Sequence, residues 1–95
     1  MLKGIRVLEV SSANTMLAGS ILADLGADVV VVEPPGGATG RRLEPFLDNK
    51  PGLERSLTWQ ALNRNKRGIT LNLDVIDGRE LLESITSKFD VLLES

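Results

Sequence analysis

The sequence predicts an α/β fold, an open parallel sheet of about four strands with helices on both faces. Three observations carry that expectation. Val29 to Val32 are four consecutive β-branched residues with no polar alternation, the pattern of a strand covered on both faces in a parallel sheet. Ile5 to Val10, IRVLEV, is a second mainly aliphatic run. Between and after these runs apolar residues recur at helical spacing, so strands alternate with helices, which is the order of βαβ units.

The first strand leads into Ser11-Ser12-Ala13-Asn14, where Ser12 or Asn14 is placed to cap the helix that follows. In that helix Leu17, Ile21 and Leu25 fall four apart, with Ala18 and Leu22 beside them, a broad apolar stripe expected to pack on the sheet. Gly26 comes after Leu25, where a left-handed C-cap favours a residue without Cβ. Asp24 and Asp28 flank this cap and read as solvated. Pro34 and Pro35 end the second strand, because neither donates to a ladder.

From Glu33 the chain is rich in Pro and Gly through Gly40 and then mixed polar to Leu53, a connection longer than a compact domain normally holds without a function. Leu53 to Leu62 reads as a short helix with Leu53, Leu57 and Ala61 on one face and Trp59 off it. Asn63 to Arg67, NRNKR, closes it with a basic turn. Ile69 to Leu73 alternates strictly, which predicts a half-covered third strand near a sheet edge.

Asp74 and Asp77 have the spacing of a carboxylate capping box. A helix from about Ile76 to Ser87 follows, with Leu81, Leu82 and Ile85 inward and Lys88 favourably near its C-terminus, and Phe89 to Leu93 is the fourth strand. With a Rossmann-like strand order 3-2-1-4, the topological switch point lies between the first and fourth strands. The ligand crevice is then expected at Val10 to Asn14 and at Glu94 and Ser95.

Composition narrows the chemistry. With 95 residues there is room for one core, and with no cysteine and no histidine the usual zinc sites, thiol nucleophiles and histidine bases are excluded. No metal is expected. The longest apolar region, Met16 to Val32, is interrupted by Asp24 and Asp28, so no membrane span is expected. Without a signal-type N-terminus, a cytoplasmic setting is the expectation. Between Pro34 and Gly68 seven bases face three acids, although the whole chain has a net charge of −2. A basic connection on an acidic body suits an anionic small ligand better than a nucleic acid.

LADLGADVVVVEPPGG, followed by ALNRNKRGITLNLD, DGRELL and FDVLLES, closely resembles the N-terminal part of the class III CoA-transferases, the formyl-CoA transferase, L-carnitine dehydratase and bile-acid-inducible group. The resemblance covers essentially the whole chain in order. It implies one N-terminal Rossmann-like, coenzyme A-binding segment, residues 1–95, of a larger enzyme whose two chains interlock as a homodimer. The family moves CoA between carboxylic acids: an aspartate carboxylate attacks the acyl-CoA carbonyl, giving a mixed anhydride and then an enzyme-bound thioester. That aspartate is expected beyond Ser95, so no catalytic residue is assigned here.

Carried over residue by residue, the resemblance lays Ser12, Ala13 and Asn14 of the first loop and Leu71 of the third strand along coenzyme A. Arg64, Lys66 and Arg67 are candidates for charge near its phosphates, the alternative being a solvated basic turn or a partner-chain contact. Arg41 and Arg42 are weaker candidates for the same role, and Gly36-Gly37 reads as a turn or a phosphate cradle. Glu33 stands where a dinucleotide fold binds ribose, yet no GxGxxG follows the first strand, so a structural or cofactor-edge contact is expected of it. The family's Ala-Gly-Pro is replaced by Asn14-Thr15-Met16, Pro35 stands where formyl-CoA transferase has a base, and Ser95 stands where the family has Asn. A noncatalytic transferase copy, or a Rossmann-like module used for interaction, is the competing reading. Apolar surface left open at the switch point is expected to promote self-association.

Overall fold

The computed structural model describes residues 1–12 and 14–95. Four parallel strands, β1 (Arg6–Val10), β2 (Asp28–Glu33), β3 (Arg67–Thr70) and β4 (Val91–Leu93), form one sheet in the order β3-β2-β1-β4, the order expected from the sequence. The helices are α1 (Met16–Asp24), α2 (Leu57–Asn63) and α3 (Ile76–Thr86). Val7 lies opposite both Val29 and Val91, and Glu9 opposite Val31.

Strand alternation divides the core between the two faces. Val7, Val29 and Val31 pack with Met16, Ala23 and Trp59 on the α1–α2 side. Leu8, Val30 and Val32 pack with Leu82, Ile85 and Phe89 on the α3 side. β2 is buried from Val29 to Glu33, as a two-face-covered strand requires, whereas all four residues of β3 are exposed at the sheet edge. The Cα envelope is a slab of 40 × 37 × 18 Å.

Local chemistry sets the element ends. After α1, the Gly26 N–H bonds to Ala23 O and the Ala27 N–H to Leu22 O, the two bonds of a Schellman cap, with Gly26 at φ +102°. At α2 the Ser56 Oγ accepts from the Trp59 N–H at 3.1 Å and donates to Leu43 O. That cap starts the helix at Leu57, four residues later than the leucine spacing suggests, and turns Trp59 inward while Leu57 and Ala61 stay exposed.

Two other helix faces differ from expectation. On α1, Met16, Gly19 and Ala23 face the sheet, while Leu17 and Ile21 are 59% and 52% exposed. Charged side chains lie between this helix and the sheet, so the inward position nearest them takes only glycine. On α3, Leu82 and Ile85 pack inward but Leu81 is exposed. The Asp74–Asp77 box does not form. Val75 holds the N-cap position with no side-chain bond, and the Asp74 N–H is taken by Asn72 Oδ1 at 3.0 Å.

Candidate functional site

In a parallel sheet the loops at the carboxyl ends of the strands share one edge. Ser11 extends the β1–β2 ladder, its N–H bonded to Val32 O at 3.0 Å. Beyond it Ser12 and Thr15 cap each other. The Ser12 Oγ accepts from the N–H groups of Asn14 and Thr15, each at 3.2 Å, and the Thr15 Oγ1 accepts from the Ser12 N–H at 3.1 Å. This reciprocity is that of a capping box, with threonine in the place of glutamate. The expected capping of α1 by Ser12 or Asn14 does not form: Thr15 holds the N-cap position of α1 with no side-chain cap bond, Ser12 closes the turn before it, and Asn14 is exposed. Across the switch point the Ser12 and Ser95 hydroxyls lie 2.9 Å apart.

On the same edge, just past β3, the Leu71 N–H bonds to Glu33 O at 2.9 Å. Val10, Ser11, Val32, Pro34 and the Leu71–Asp74 segment enclose a cleft of about 200 Å³. Val10, Val32, Pro34, Leu71 and Leu73 give it an apolar part, and Ser11, Glu33, Asn72 and Asp74 a polar one.

Directly beneath the Ser12 loop lies a buried charge pair. Glu9 is fully buried in β1, and its Oε1 meets the Lys66 Nζ at 2.8 Å, with the Lys66 side chain 1% exposed. The ammonium also donates to Asn63 Oδ1 at 2.9 Å and to Met16 O at 3.1 Å, which uses all three of its protons. The other carboxylate oxygen, Oε2, accepts from the Thr15 hydroxyl at 3.0 Å. A charge taken so far from water persists only when its partners are complete.

A second ion pair anchors the long connection. Glu33 Oε2 accepts from Arg41 Nε at 2.6 Å and from the Ala38 N–H at 2.9 Å, while Oε1 accepts from Arg41 Nη2 at 2.7 Å. The Arg41 guanidinium also lies 4.7 Å from the Trp59 ring centroid. These hydrogen bonds hold the Glu33 carboxyl below the usual carboxylate range, against the opposing pull of burial. Glu33 thus makes a structural contact, and Arg41 is spent on the protein itself.

The sequence-expected contact residues fall into two groups. Ser12, Asn14 and Leu71 share the carboxyl edge, and Ala13 lies outside the described residues. The basic turn sits at the opposite edge, where β3 begins. There Arg67 pairs with Asp28 through bonds of 2.6 and 3.1 Å, and Arg64 is exposed beside it. Lys66 alone reaches inward, to Glu9. Thr15 and Glu9 escaped the sequence reading, although one signal was present: Glu9 is the single carboxylate in an otherwise aliphatic half of IRVLEV, a strand with two covered faces. Among the described residues no group of three or more side chains is arranged to hold a metal, and no helix is long and apolar enough to cross a membrane.

An open parallel sheet with helices on both faces and a cleft outside the carboxyl ends of the strands defines an α/β protein of the Rossmann-like class. The chain belongs to CoA-transferase family III, whose family model matches residues 2–95. It is 37% identical over 95% of its length to the BbsE subunit of succinyl-CoA:(R)-benzylsuccinate CoA-transferase from Thauera aromatica, covering 22% of that protein. It is 40% identical over 99% of its length to formyl-CoA:oxalate CoA-transferase from Streptomyces avermitilis, again covering 22%. The crystal structure of the D175A mutant of Rv3272 from Mycobacterium tuberculosis superposes with a TM-score of 0.82 at 32% identity, over 98% of this chain and 24% of that one. The chain thus spans about a quarter of the length of the relatives it matches.

Proposed function

We propose that these residues form the coenzyme A-binding segment of an enzyme that transfers CoA between carboxylic acids, contacting the cofactor portion of an acyl-CoA through Ser12, Ala13, Asn14 and Leu71. The observation that carries this reading is the shared carboxyl edge, where Leu71 and Ser11 line one cleft and the Ser12 turn directly follows Ser11. Val10, Val32, Leu71 and Leu73 in the lining suit the uncharged parts of the ligand, and the exposed Asn14 amide offers a polar contact on the same edge. Arg64 and Arg67 stand at the other edge, so we leave them out of this contact, and Lys66 supports the loop from below. A catalytic carboxylate supplied outside these residues would attack the acyl carbonyl and expel the CoA thiolate. The thiolate would then attack the resulting anhydride to release the first acid and leave an enzyme thioester. The proposed setting is a cytoplasmic homodimer acting on acyl-CoA and carboxylic acid substrates.

Calorimetric titration of the chain with coenzyme A, with NAD and adenosine as comparators at fixed salt, tests the reading. Saturable binding of coenzyme A with NAD silent is the expected result. Equal affinity for NAD would favour a general nucleotide module used for interaction, and no heat with coenzyme A would overturn the assignment of this cleft.

A further inference from the structure

The Thr15 hydroxyl has one proton and two lone pairs, and the structure gives the proton and a lone pair distinct tasks. Its nearest acceptor is the buried Glu9 Oε2 at 3.0 Å. The backbone oxygens of Ser12 and Val10 lie farther, at 3.2 and 3.4 Å, and carry no formal charge, so the proton goes to the carboxylate. That leaves the lone pairs to receive the Ser12 N–H. Lys66 fixes the carboxylate in turn, because its ammonium is held by Glu9, Asn63 and Met16 together. Two charge-assisted bonds, Lys66 to Glu9 and Thr15 to Glu9, and one neutral bond, Ser12 N–H to Thr15, therefore link the α2–β3 turn to the loop after β1.

We infer that Thr15 is a positioning residue for ligand binding: the buried Glu9–Lys66 pair orients its hydroxyl, and the hydroxyl fixes Ser12, whose own Oγ holds the Asn14 N–H. The inference rests on the proposed coenzyme A site, but the relay itself is a property of this chain's own residues. Thr15 is buried, 5% exposed, and acts through Ser12. It removes in advance the ordering that the loop would otherwise undergo on binding. Its worth is then seen in affinity, and it follows the hydroxyl rather than the bulk of the side chain.

Thr15→Val keeps the shape and removes the hydroxyl, and Thr15→Ser keeps the hydroxyl and removes the methyl. Coenzyme A titrations well below both melting temperatures should show roughly a tenfold loss of affinity for Thr15→Val, about 1.4 kcal/mol, and recovery to near the parent value for Thr15→Ser. Backbone amide exchange at Ser12 and Asn14, measured without ligand, should accelerate in the valine variant and not in the serine variant. Unchanged exchange in Thr15→Val overturns the relay even where coenzyme A binds. Equal affinities for the parent and Thr15→Val overturn the positioning role. If the parent chain binds no coenzyme A, the exchange data still decide the relay, and it is the site assignment that falls.

Discussion

Arg41 grips Glu33 through two hydrogen bonds, of 2.6 and 2.7 Å, while lying 4.7 Å from the Trp59 ring centroid. One guanidinium therefore ties the end of β2, the start of the long connection and helix α2 together. Stability should depend on pH through this pair. The folded Glu33 carboxyl ionises at lower pH than in the unfolded chain, first because of the Arg41 bonds. Its contribution is then full above the unfolded glutamate value of about 4.3 and is lost as pH falls through the lower folded value. Melting temperatures between about pH 6 and 3 should show a flatter acid limb for Glu33→Gln than for the parent. Arg41→Lys, which loses both the fork and the stack, should cost about 1–2 kcal/mol in urea unfolding.

Gly19 reverses a usual rule. Alanine normally stabilises a helix interior by about 1 kcal/mol over glycine. Here a Cβ would intrude on Glu9 Oε1 and come within 2.9 Å of Lys66 Nζ. Gly19→Ala should therefore lower the urea midpoint, and a raised midpoint would show that the pair has room to move.

The buried pair should be far more sensitive to single than to double replacement. Lys66→Met leaves a carboxylate buried without its counter-charge, which costs about 3–5 kcal/mol, enough to unfold a small domain of ordinary stability. Replacing both, Glu9→Leu with Lys66→Met, should restore a cooperative urea transition. Equal losses in the single and double variants would mean that the pair is not coupled as its 2.8 Å contact indicates.

The separation of the two edges predicts unequal effects on ligand binding. Leu71→Asp places a carboxylate in the aliphatic cleft wall and should weaken coenzyme A binding by at least about tenfold. Arg64→Ala, at the far edge, should change it by less than about twofold. A large effect of Arg64 in the same titration would bring the basic turn back into the site.

Exposed apolar side chains should make the chain associate. Leu17 and Ile21 on α1, Ile76 and Leu81 on α3, and Leu92 on β4 are all between 46% and 63% exposed. Light scattering across a concentration series should show a rising apparent mass, and Leu17→Glu with Ile21→Lys should reduce it.

Sheet order and the end of α1 were legible because each depends on local residues, an unbroken Val29–Val32 run and Gly26 after Leu25. The edge place of the third strand was legible too, but alternation over Ile69–Leu73 sets it two residues late and half-covered, whereas β3 is Arg67–Thr70 and exposed throughout. The inward faces of α1 and α2 were not. Leucine spacing marks an apolar stripe but not which stripe meets the sheet: on α1 that choice is made by Glu9 and Lys66, 57 positions apart in the chain, and on α2 by the Ser56 cap. The same long-range pairing hid the division of the basic turn. Asn63, Lys66 and Arg67 are near neighbours in sequence, yet two serve the buried carboxylate and one an exposed aspartate.

A slab only 18 Å thick leaves few atoms far from water, and that has a calorimetric consequence. The heat-capacity increment of unfolding follows the apolar area newly hydrated, ordinarily about 12–15 cal/mol/K per residue. Here it should fall below that range, so the stability curve should be shallow, with tolerance to cooling and a broad endotherm on heating.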